Sequence, residues 1–150
     1  MEKMPKIYMA YGSNLNVKQM HIRCPFAKVY KTAELPGYRL LFRGGNGGAV
    51  ATIEPREGSS VSVALWKITP FDEKALDRYE GWPRLYRKEI FKITLGKRKV
   101  RVFAYIMNDG FPLGRPSRSY FTTILEGYEE FMFDQALLEK AVLVSIEHTH

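Results

Sequence analysis

An apolar strand near the start of the sequence runs directly into a polar turn, and the stretch reads Ile7-Tyr8-Met9-Ala10-Tyr11-Gly12-Ser13-Asn14-Leu15. We expect the strand to end at Ala10, which places the turn at one end of the sheet. Such a turn can point consecutive backbone N–H groups at one place, which suits a carboxylate or a developing oxyanion. A Gly-Ser-Asn turn is also an ordinary connection, so this segment alone does not establish a site. Beyond it, Asn14 or Asn16 can cap a short helix.

The middle of the chain is a succession of strands without intervening helices. We expect strands near 26–34, 38–43, 49–54 and 60–68, and a hairpin at 86–95 and 100–107. Val61, Val63 and Leu65 alternate with smaller residues, which is the period of a half-buried strand. This order favours an α+β fold, built on a curved mixed sheet or a small β-barrel flanked by helices, over a doubly wound fold. Since the sequence has no internal repeat or linker-like stretch, we expect one domain over residues 1–150.

Local signals predict a helix between the two groups of strands. Thr69 is its expected N-cap, Pro70 its first residue and Asp72 the partner of the cap, while Gly81 ends it. Three side chains are expected to face the core: Phe71, Leu76 and Tyr79. Later in the chain, Ser117 or Ser119 and then Asp134 are candidate caps of two more helices.

Glu80 is the last side chain of the helix that begins after Thr69. A carboxylate at this end meets the negative pole of the helix dipole, where it gains no stabilisation. If Tyr79 and Trp82 shield it from water, its pKa rises toward neutrality, as general acid–base catalysis at pH 7 requires. An exposed surface glutamate is an equally acceptable interpretation of the sequence.

The net charge of +7 is concentrated in one segment. Residues 84–101 hold eight Lys and Arg residues against Glu89 alone, a surplus equal to the whole net charge. These basic residues occupy a hairpin turn and positions that alternate with apolar ones, so we favour a solvated hairpin face over a nucleic-acid surface. No helix-turn-helix, zinc-finger or aromatic RNA-binding pattern accompanies them, and we expect no nucleic-acid partner.

The sequence lacks the residues that disulfides, metal sites, phosphate-binding loops and membrane spans usually require. Cys24 is the one cysteine, which excludes an internal disulfide and fits a reducing cytoplasm; we expect a buried structural thiol. Three histidines show no metal-ligand spacing, and no metal or cofactor is predicted: His21, His148 and His150. The glycine-rich 44–48 segment lacks the ending of a phosphate-binding loop. Residues 1–5 do not resemble a signal peptide, and no apolar run approaches the roughly 18 residues of a membrane span, so we expect a cytoplasmic protein.

The first turn and the Glu80 segment together resemble the γ-glutamylcyclotransferase-like family, which includes the AIG2-like proteins. The resemblance runs in order along nearly the whole chain, through Tyr8–Leu15, Gly47–Ile53, Val63–Ile68, Leu76–Gly81, Tyr86, Ala104–Met107 and Pro116–Tyr120. It implies a small mixed β-barrel flanked by helices. It also implies a cofactor-free reaction in which the α-amine of a γ-glutamyl group attacks its own γ-carbonyl, releasing 5-oxoproline and a free amine.

The resemblance assigns roles to particular residues. It makes Glu80 the general acid/base, and it implies that the glutamyl end of a small-molecule substrate is held by Tyr11, Gly12, Ser13, Asn14 and Leu15. Substrate-positioning roles follow for Tyr86, Tyr105 and Tyr120, although each is equally acceptable as a structural tyrosine. The Trp82–Leu85 insertion resembles the bacterial AIG2-like branch, and Asn14 departs from the leucine of the glutathione-specific branch, so glutathione is not the preferred substrate.

Two questions stay open on the sequence alone. The rival to an enzyme is a non-catalytic binding module on the same fold that uses the basic hairpin 84–101. Within that hairpin, Arg84 or Arg87 is expected at the rim of the pocket, where it would attract anionic substrates. The sequence leaves the leaving amine and the oligomeric state undetermined.

Overall fold

A computed structural model describes residues 6–147; the segment 1–5 and the predicted non-ligands His148 and His150 lie outside the described residues. The elements follow one another as β1 (Lys6–Ala10), a 3₁₀ turn (Ser13–Leu15), α1 (Val17–Arg23), β2 (Lys28–Arg43), β3 (Val50–Ile68), α2 (Pro70–Glu80), β4 (Tyr86–Leu95), β5 (Arg98–Met107), α3 (Arg118–Glu130) and α4 (Gln135–Glu147). This arrangement confirms the α+β class. Within residues 6–147, no helix combines the length and apolar character needed to cross a membrane.

The five strands form one mixed sheet in the order β2-β3-β1-β5-β4. The predicted barrel is wrong in one respect, because the sheet is open: β2 and β4 are its two edges and do not pair with each other. β1 pairs along its whole length with β3, but it meets β5 in parallel at the single pair Tyr8–Phe103. The sheet is therefore weakly joined at its centre. Basic side chains on edge strand β4, including Lys92, oppose further strand addition.

The β2–β3 hairpin is longer and more continuous than the sequence predicted. The expected breaks at Pro36-Gly37 and at 55–60 do not separate four strands, because β2 and β3 each run through them, but Gly37 and residues 56–59 have no partner in the register and form a bulge. The pairing register shifts between Pro36 and Tyr38, which accommodates the proline without ending the strand. The predicted half-buried alternation at 61–65 is also wrong. Residues 61–66 are all buried, since this central strand is covered on both faces.

Helix α2 has the predicted ends. Thr69 and Asp72 form a capping box in which each side chain accepts a hydrogen bond from the other residue's N–H, and Gly81 ends the helix with a φ of 68°. Leu76 is buried as expected, but Phe71 and Tyr79 are exposed. The short helix turns only one narrow face to the sheet, so residues flanking that face remain in solvent.

Of the last two helices, α3 packs against the 3₁₀ turn and α4 packs against β2. Ser117 caps α3 through the N–H of Tyr120, and the Asp134 side chain accepts from the N–H of Ala136 at the start of α4. Gly127 allows α3 to approach the 3₁₀ turn, because a Cβ at this position would lie 2.6 Å from the Leu15 carbonyl carbon. The close contact fixes the turn against the helix.

Candidate active site

Seven elements of the fold converge on one small cavity. The end of β1, the 3₁₀ turn, the end of α2, strands β3 to β5 and the start of α3 enclose a space of about 20 Å³. The side chains and backbone that line it are Tyr8, Tyr11, Gly12, Ser13, Asn14, Ala51, Glu80, Tyr86, Tyr105 and Tyr120.

The turn is held in place by close packing and by an asparagine. A Cβ on Gly12 would lie 3.0 Å from the Ala51 Cβ, so a side chain there would force the turn away from β3. Asn16 accepts from the Gln19 N–H and caps α1, while its amide donates to the Thr123 carbonyl at 3.1 Å and to Glu126 Oε2 at 2.8 Å. These bonds tie the turn to α3.

The turn leaves its first backbone N–H groups outside its own hydrogen bonds. Those bonds begin with Leu15 N–H donating to the Gly12 carbonyl and Asn16 N–H donating to the Ser13 carbonyl, each at 3.0 Å. The N–H groups of Gly12, Ser13 and Asn14 therefore precede the hydrogen-bonded ladder, as at the start of any helical turn. They belong to residues that line the cavity.

Glu80 meets this turn inside the cavity. Asn14 Nδ2 lies 3.3 Å from Glu80 Oε1 and also donates to the Tyr8 hydroxyl at 2.9 Å. Burial raises the pKa of Glu80 from its ordinary 4.5 to about 7, and the nearby positive charge of Arg23 opposes that rise. The exposed-glutamate interpretation is therefore wrong.

The shielding of Glu80 does not come from the residues that the sequence suggested. Tyr79 is 42% exposed and Trp82 is 43% exposed, with the Trp82 ring facing the Lys88 ammonium at 4.2 Å. The carboxyl group is instead enclosed by buried tyrosines of the sheet, among them Tyr8 and Tyr86. Apart from Tyr86, these tyrosines are distant from Glu80 in the sequence, which is why the immediate neighbours of Glu80 in the chain were a poor guide.

Arg23, at the end of α1, is the cation beside the site. Its guanidinium donates to Asn14 Oδ1 and lies over the Tyr79 ring, 3.4 Å from the ring centre. The Tyr79 hydroxyl in turn shares a 2.8 Å hydrogen bond with Ser13 Oγ. Together, Arg23 and Tyr79 cover the turn from outside. Sequence reasoning missed Arg23, since nothing in α1 distinguishes it from a solvated basic residue.

The tyrosine hydroxyls are tied mainly to the backbone of the cavity wall. Tyr11 donates to the Tyr105 carbonyl at 2.5 Å, and Tyr86 donates to the Ala51 carbonyl at 2.6 Å. Tyr120 accepts from the Ala51 N–H at 3.0 Å. Burial is the largest cause that raises the pKa of each of these tyrosines, so they stay neutral when Glu80 titrates.

Tyr105 is the exception, because its hydroxyl reaches a carboxylate. It donates to Asp77 Oδ1 at 2.6 Å, and Asp77 is paired with Lys88 at 2.9 Å. Lys88 also contacts Glu73 at 2.8 Å. Lys88 is therefore a bridge between α2 and the sheet, and is not part of the solvated face that the sequence predicted for the hairpin.

The comparisons with known proteins agree with this geometry. The family described as "Gamma-glutamyl cyclotransferase, AIG2-like" matches residues 8–127. The chain belongs to this family.

Individual relatives extend the comparison. A bovine γ-glutamylcyclotransferase is 35% identical over 82 residues, which cover 50% of this chain and only 44% of the bovine protein. A murine γ-glutamylcyclotransferase is 29% identical over 143 residues, 89% of this chain and 76% of the murine protein. A solved structure titled γ-glutamyl cyclotransferase has a TM-score of 0.77 at 27% identity, covering 91% of this chain and 85% of its own. An uncharacterised human protein has a TM-score of 0.81 at 26% identity, covering 93% and 87%.

Most of the site residues expected from the sequence line the cavity, with one clear exception. Tyr11 to Asn14, Glu80, Tyr86, Tyr105 and Tyr120 are brought together, whereas Leu15 is fully buried beneath α3 and does not line the cavity. Leu15 is an anchor of the turn. Tyr8 and Ala51 are part of the wall although the sequence did not single them out.

The arginines that the sequence analysis expected at the rim of the Glu80 cavity do not line that cavity. Arg87 lines a different cavity, where it pairs with Glu89 at 2.9 Å and donates to the Met107 carbonyl. Arg84 does not line the Glu80 cavity either. Successive side chains of β4 point to opposite faces of the sheet, so Tyr86 faces the Glu80 cavity and Lys88 faces α2, while Arg87 points to the other side.

The structure also locates the cysteine and the first histidine that the sequence analysis considered. Cys24 is buried, and burial raises the pKa of its thiol to about 12, as expected for a structural cysteine. His21 is exposed and packs edge-on against Trp66. Among residues 6–147, no group of His, Cys, Asp and Glu is arranged to hold a metal ion.

Proposed function

We propose that this protein is a γ-glutamylcyclotransferase that converts a small γ-glutamyl amide into 5-oxoproline and a free amine. The observation that carries the proposal is the Glu80 carboxyl group, enclosed beside Asn14 with a pKa of about 7. A base with this pKa is matched to proton transfer at neutral pH. Membership of the family supports the same activity.

The proposed reaction moves one proton through Glu80. The α-amine nitrogen attacks the γ-carbonyl carbon and forms the ring C–N bond, while Glu80 accepts the proton that this nitrogen loses. Glu80 then donates the proton to the leaving nitrogen as the original amide C–N bond breaks. Because both reacting groups belong to one molecule, holding them in the folded shape supplies the effective concentration. No oxidation or reduction occurs.

The Tyr11–Asn14 segment is the proposed binding site for the glutamyl end. The N–H groups of Gly12, Ser13 and Asn14 precede the turn's own hydrogen bonds and are available to a carboxylate or to the tetrahedral oxyanion. The side chains of Tyr86, Tyr105 and Tyr120 are proposed to position the substrate as neutral walls. The hydrogen bonds of Tyr86 and Tyr120 to the Ala51 backbone, and that of Tyr105 to Asp77, support a rigid pocket.

Substrate binding requires the site to widen. A cavity of about 20 Å³ has room for about one water molecule. The Arg23–Tyr79 cover is the proposed moving part, since Tyr79 is substantially exposed and is joined to the turn through the Ser13 hydroxyl. Displacing it would open the turn without disturbing the sheet.

The domain organisation, the cellular location and the partner of the protein are also proposals. We propose one domain over residues 1–150, a cytoplasmic location and a small-molecule partner without nucleic acid. The single buried cysteine and the absence of a membrane-spanning helix within residues 6–147 support this setting. The Tyr11–Asn14 segment does not specify the leaving amine.

The test is a panel of γ-glutamyl amides with 5-oxoproline as the measured product. We expect the wild-type protein to release 5-oxoproline from at least one compound, and Glu80→Gln to lose nearly all turnover. Glu34→Gln, on an exposed position of β2, is the matched control and should retain it. Wild-type turnover rates in Glu80→Gln would overturn the mechanism. A folded wild-type protein that turns over none of the panel would instead favour the non-catalytic module with the basic hairpin 84–101.

A further inference from the structure

A second cavity lies apart from Glu80, between the β2–β3 hairpin and α4. It measures about 260 Å³ and shares no lining residue with the Glu80 cavity. Its base is apolar and includes the buried residues Leu41 and Tyr128. Its polar part consists of three basic side chains and two serines, namely Arg39, Arg56, Lys140, Ser59 and Ser60.

The three basic side chains come from three different elements and have no acidic neighbour in the cavity. Arg39 belongs to β2, Arg56 to β3 and Lys140 to α4, and no Asp or Glu lines the space. Among the side chains of residues 6–146, none of the three has an ion-pair partner. Like charges that converge on a partly enclosed space repel one another, and an anion placed between them would remove that repulsion.

The strand partner of Arg39 is an acid that is already engaged. Glu54 lies opposite Arg39 in the hairpin register, but its carboxylate is bound by Arg43 through two guanidinium nitrogens. Arg43 also donates to the Phe111 carbonyl, and both Arg43 and Glu54 line a different cavity from the one that Arg39 lines. Glu54 is therefore not a counter-ion for Arg39.

Arg39 also carries a buried donor that lacks an acceptor. Its Nε is enclosed, and no hydrogen-bond partner for it exists among residues 6–147. A buried N–H without a partner is costly, and more so when the group is charged. The protein therefore satisfies the Arg39 guanidinium group incompletely, and because Nε has almost no accessible surface, a ligand in the cavity would meet the terminal nitrogens of the group.

We propose that this cavity binds a small phosphate monoester whose organic part is apolar. A phosphate dianion offers several terminal oxygens to two guanidinium groups, an ammonium and two hydroxyls, and arginine matches phosphate geometry well. The apolar base over Leu41 and Tyr128 accommodates the organic part. A volume of about 260 Å³ is slightly below the roughly 300–1,000 Å³ of pockets that hold drug-sized ligands, so the cavity suits a smaller molecule. The proposal does not depend on the chemistry of Glu80.

The test is a binding titration of the full chain with phenyl phosphate, inorganic phosphate and benzoate. Calorimetry and amide chemical shifts monitor the binding. We expect phenyl phosphate to bind more tightly than the other two, with shifts at Ser59 and Ser60. Arg39→Gln and Lys140→Gln should each weaken binding by about tenfold or more. Lys92→Gln, an exposed basic residue of the β4–β5 hairpin, is the matched control and should bind as wild type.

Several outcomes would overturn the proposal. Equal affinity in all variants would mean nonspecific attraction to a basic protein, and loss of affinity only in Lys92→Gln would place the anion on the hairpin. Benzoate binding as tightly as phenyl phosphate would exclude a phosphate site, as would no binding at millimolar concentration. Should Arg39→Gln fail to fold, Lys140→Gln on the exposed face of α4 gives the same comparison. Unchanged 5-oxoproline release in Lys140→Gln would separate this site from the Glu80 site.

Discussion

Replacing Glu80 by glutamine should stabilise the fold at alkaline pH while it removes catalysis. Burial raises the pKa of Glu80 from 4.5 to about 7, so the folded protein binds this proton more tightly than the unfolded chain does. As pH rises from about 4.5 to 7, the unfolded chain loses the proton first, and the free energy of unfolding falls. Above pH 7 the whole cost of a buried carboxylate is present.

The size of the effect follows from the two pKa values. They differ by about 2.5, and each pKa unit is worth about 1.4 kcal/mol, so the cost at pH 8 is roughly 3 kcal/mol. Glutamine keeps the shape and an oxygen that can accept from Asn14 Nδ2, and it is neutral at every pH. The variant should therefore exceed the wild type in unfolding free energy by roughly 3 kcal/mol at pH 8 and by little at pH 4.

Urea unfolding at pH 4 and pH 8, combined with the 5-oxoproline assay, tests this reasoning. Other groups titrate alike in both proteins, so their contributions cancel in the difference between variant and wild type. Glu34→Gln, at an exposed site, is the matched control for the loss of one carboxylate. If Glu80→Gln is destabilised at pH 8, or if its stability gain is the same at both pH values, the assignment of Glu80 as a buried, proton-binding base is refuted.

Three further predictions concern separate parts of the structure. The pH profile of kcat/KM should rise through about pH 7 as Glu80 loses its proton. Because Arg23 lowers the pKa of Glu80, Arg23→Gln should shift that rise to higher pH. A profile that does not move in this variant would contradict the coupling between Arg23 and Glu80. Gly127→Ala should destabilise the fold by about 1–3 kcal/mol in thermal or urea unfolding, since its Cβ would overlap Leu15; unchanged stability would contradict the close contact. Cys24 should react slowly with a thiol reagent at pH 8 and fully in urea, because burial raises its pKa to about 12; fast labelling of the folded protein would contradict this.

Elements with local signals were predictable from the sequence. The ends of α2 depend on residues three positions apart, Thr69 and Asp72, and on a glycine in a left-handed conformation, so the chain itself specifies them. The breaks expected in β2 and β3 were wrong, because pairing across the hairpin continues past Pro36-Gly37 with a shift in register. Whether the sheet is open or closed depends on which strands pair, and no local sequence pattern predicts that.

The candidate site likewise contains residues that local sequence signals predict and residues that only tertiary packing brings in. The turn and Glu80 could be found because each has a local signature and because the family resemblance joins two segments some 65 residues apart. Arg23 and Tyr8 reach the cavity only through tertiary packing, and no spacing in the sequence connects them to Glu80. Leu15 and Arg87 illustrate the opposite error. Adjacency in the chain suggested pocket positions for them, but the fold turns Leu15 under α3 and carries Arg87 to another cavity.

The pKa of Glu80 results from two opposing effects that come from different elements. Enclosure by the sheet tyrosines raises it, because a carboxylate is poorly solvated there, while Arg23 on α1 lowers it. A carboxyl group with a much higher pKa would remain protonated at pH 7 and could not accept the amine proton. One with an ordinary pKa would be a weak base and a poor donor to the leaving amine. Because Arg23 also contacts Asn14 and Tyr79, movement of the cover during substrate entry would change the charge near Glu80 and thereby its proton affinity. Under the proposed mechanism, opening of the site and the proton affinity of Glu80 would then be physically linked.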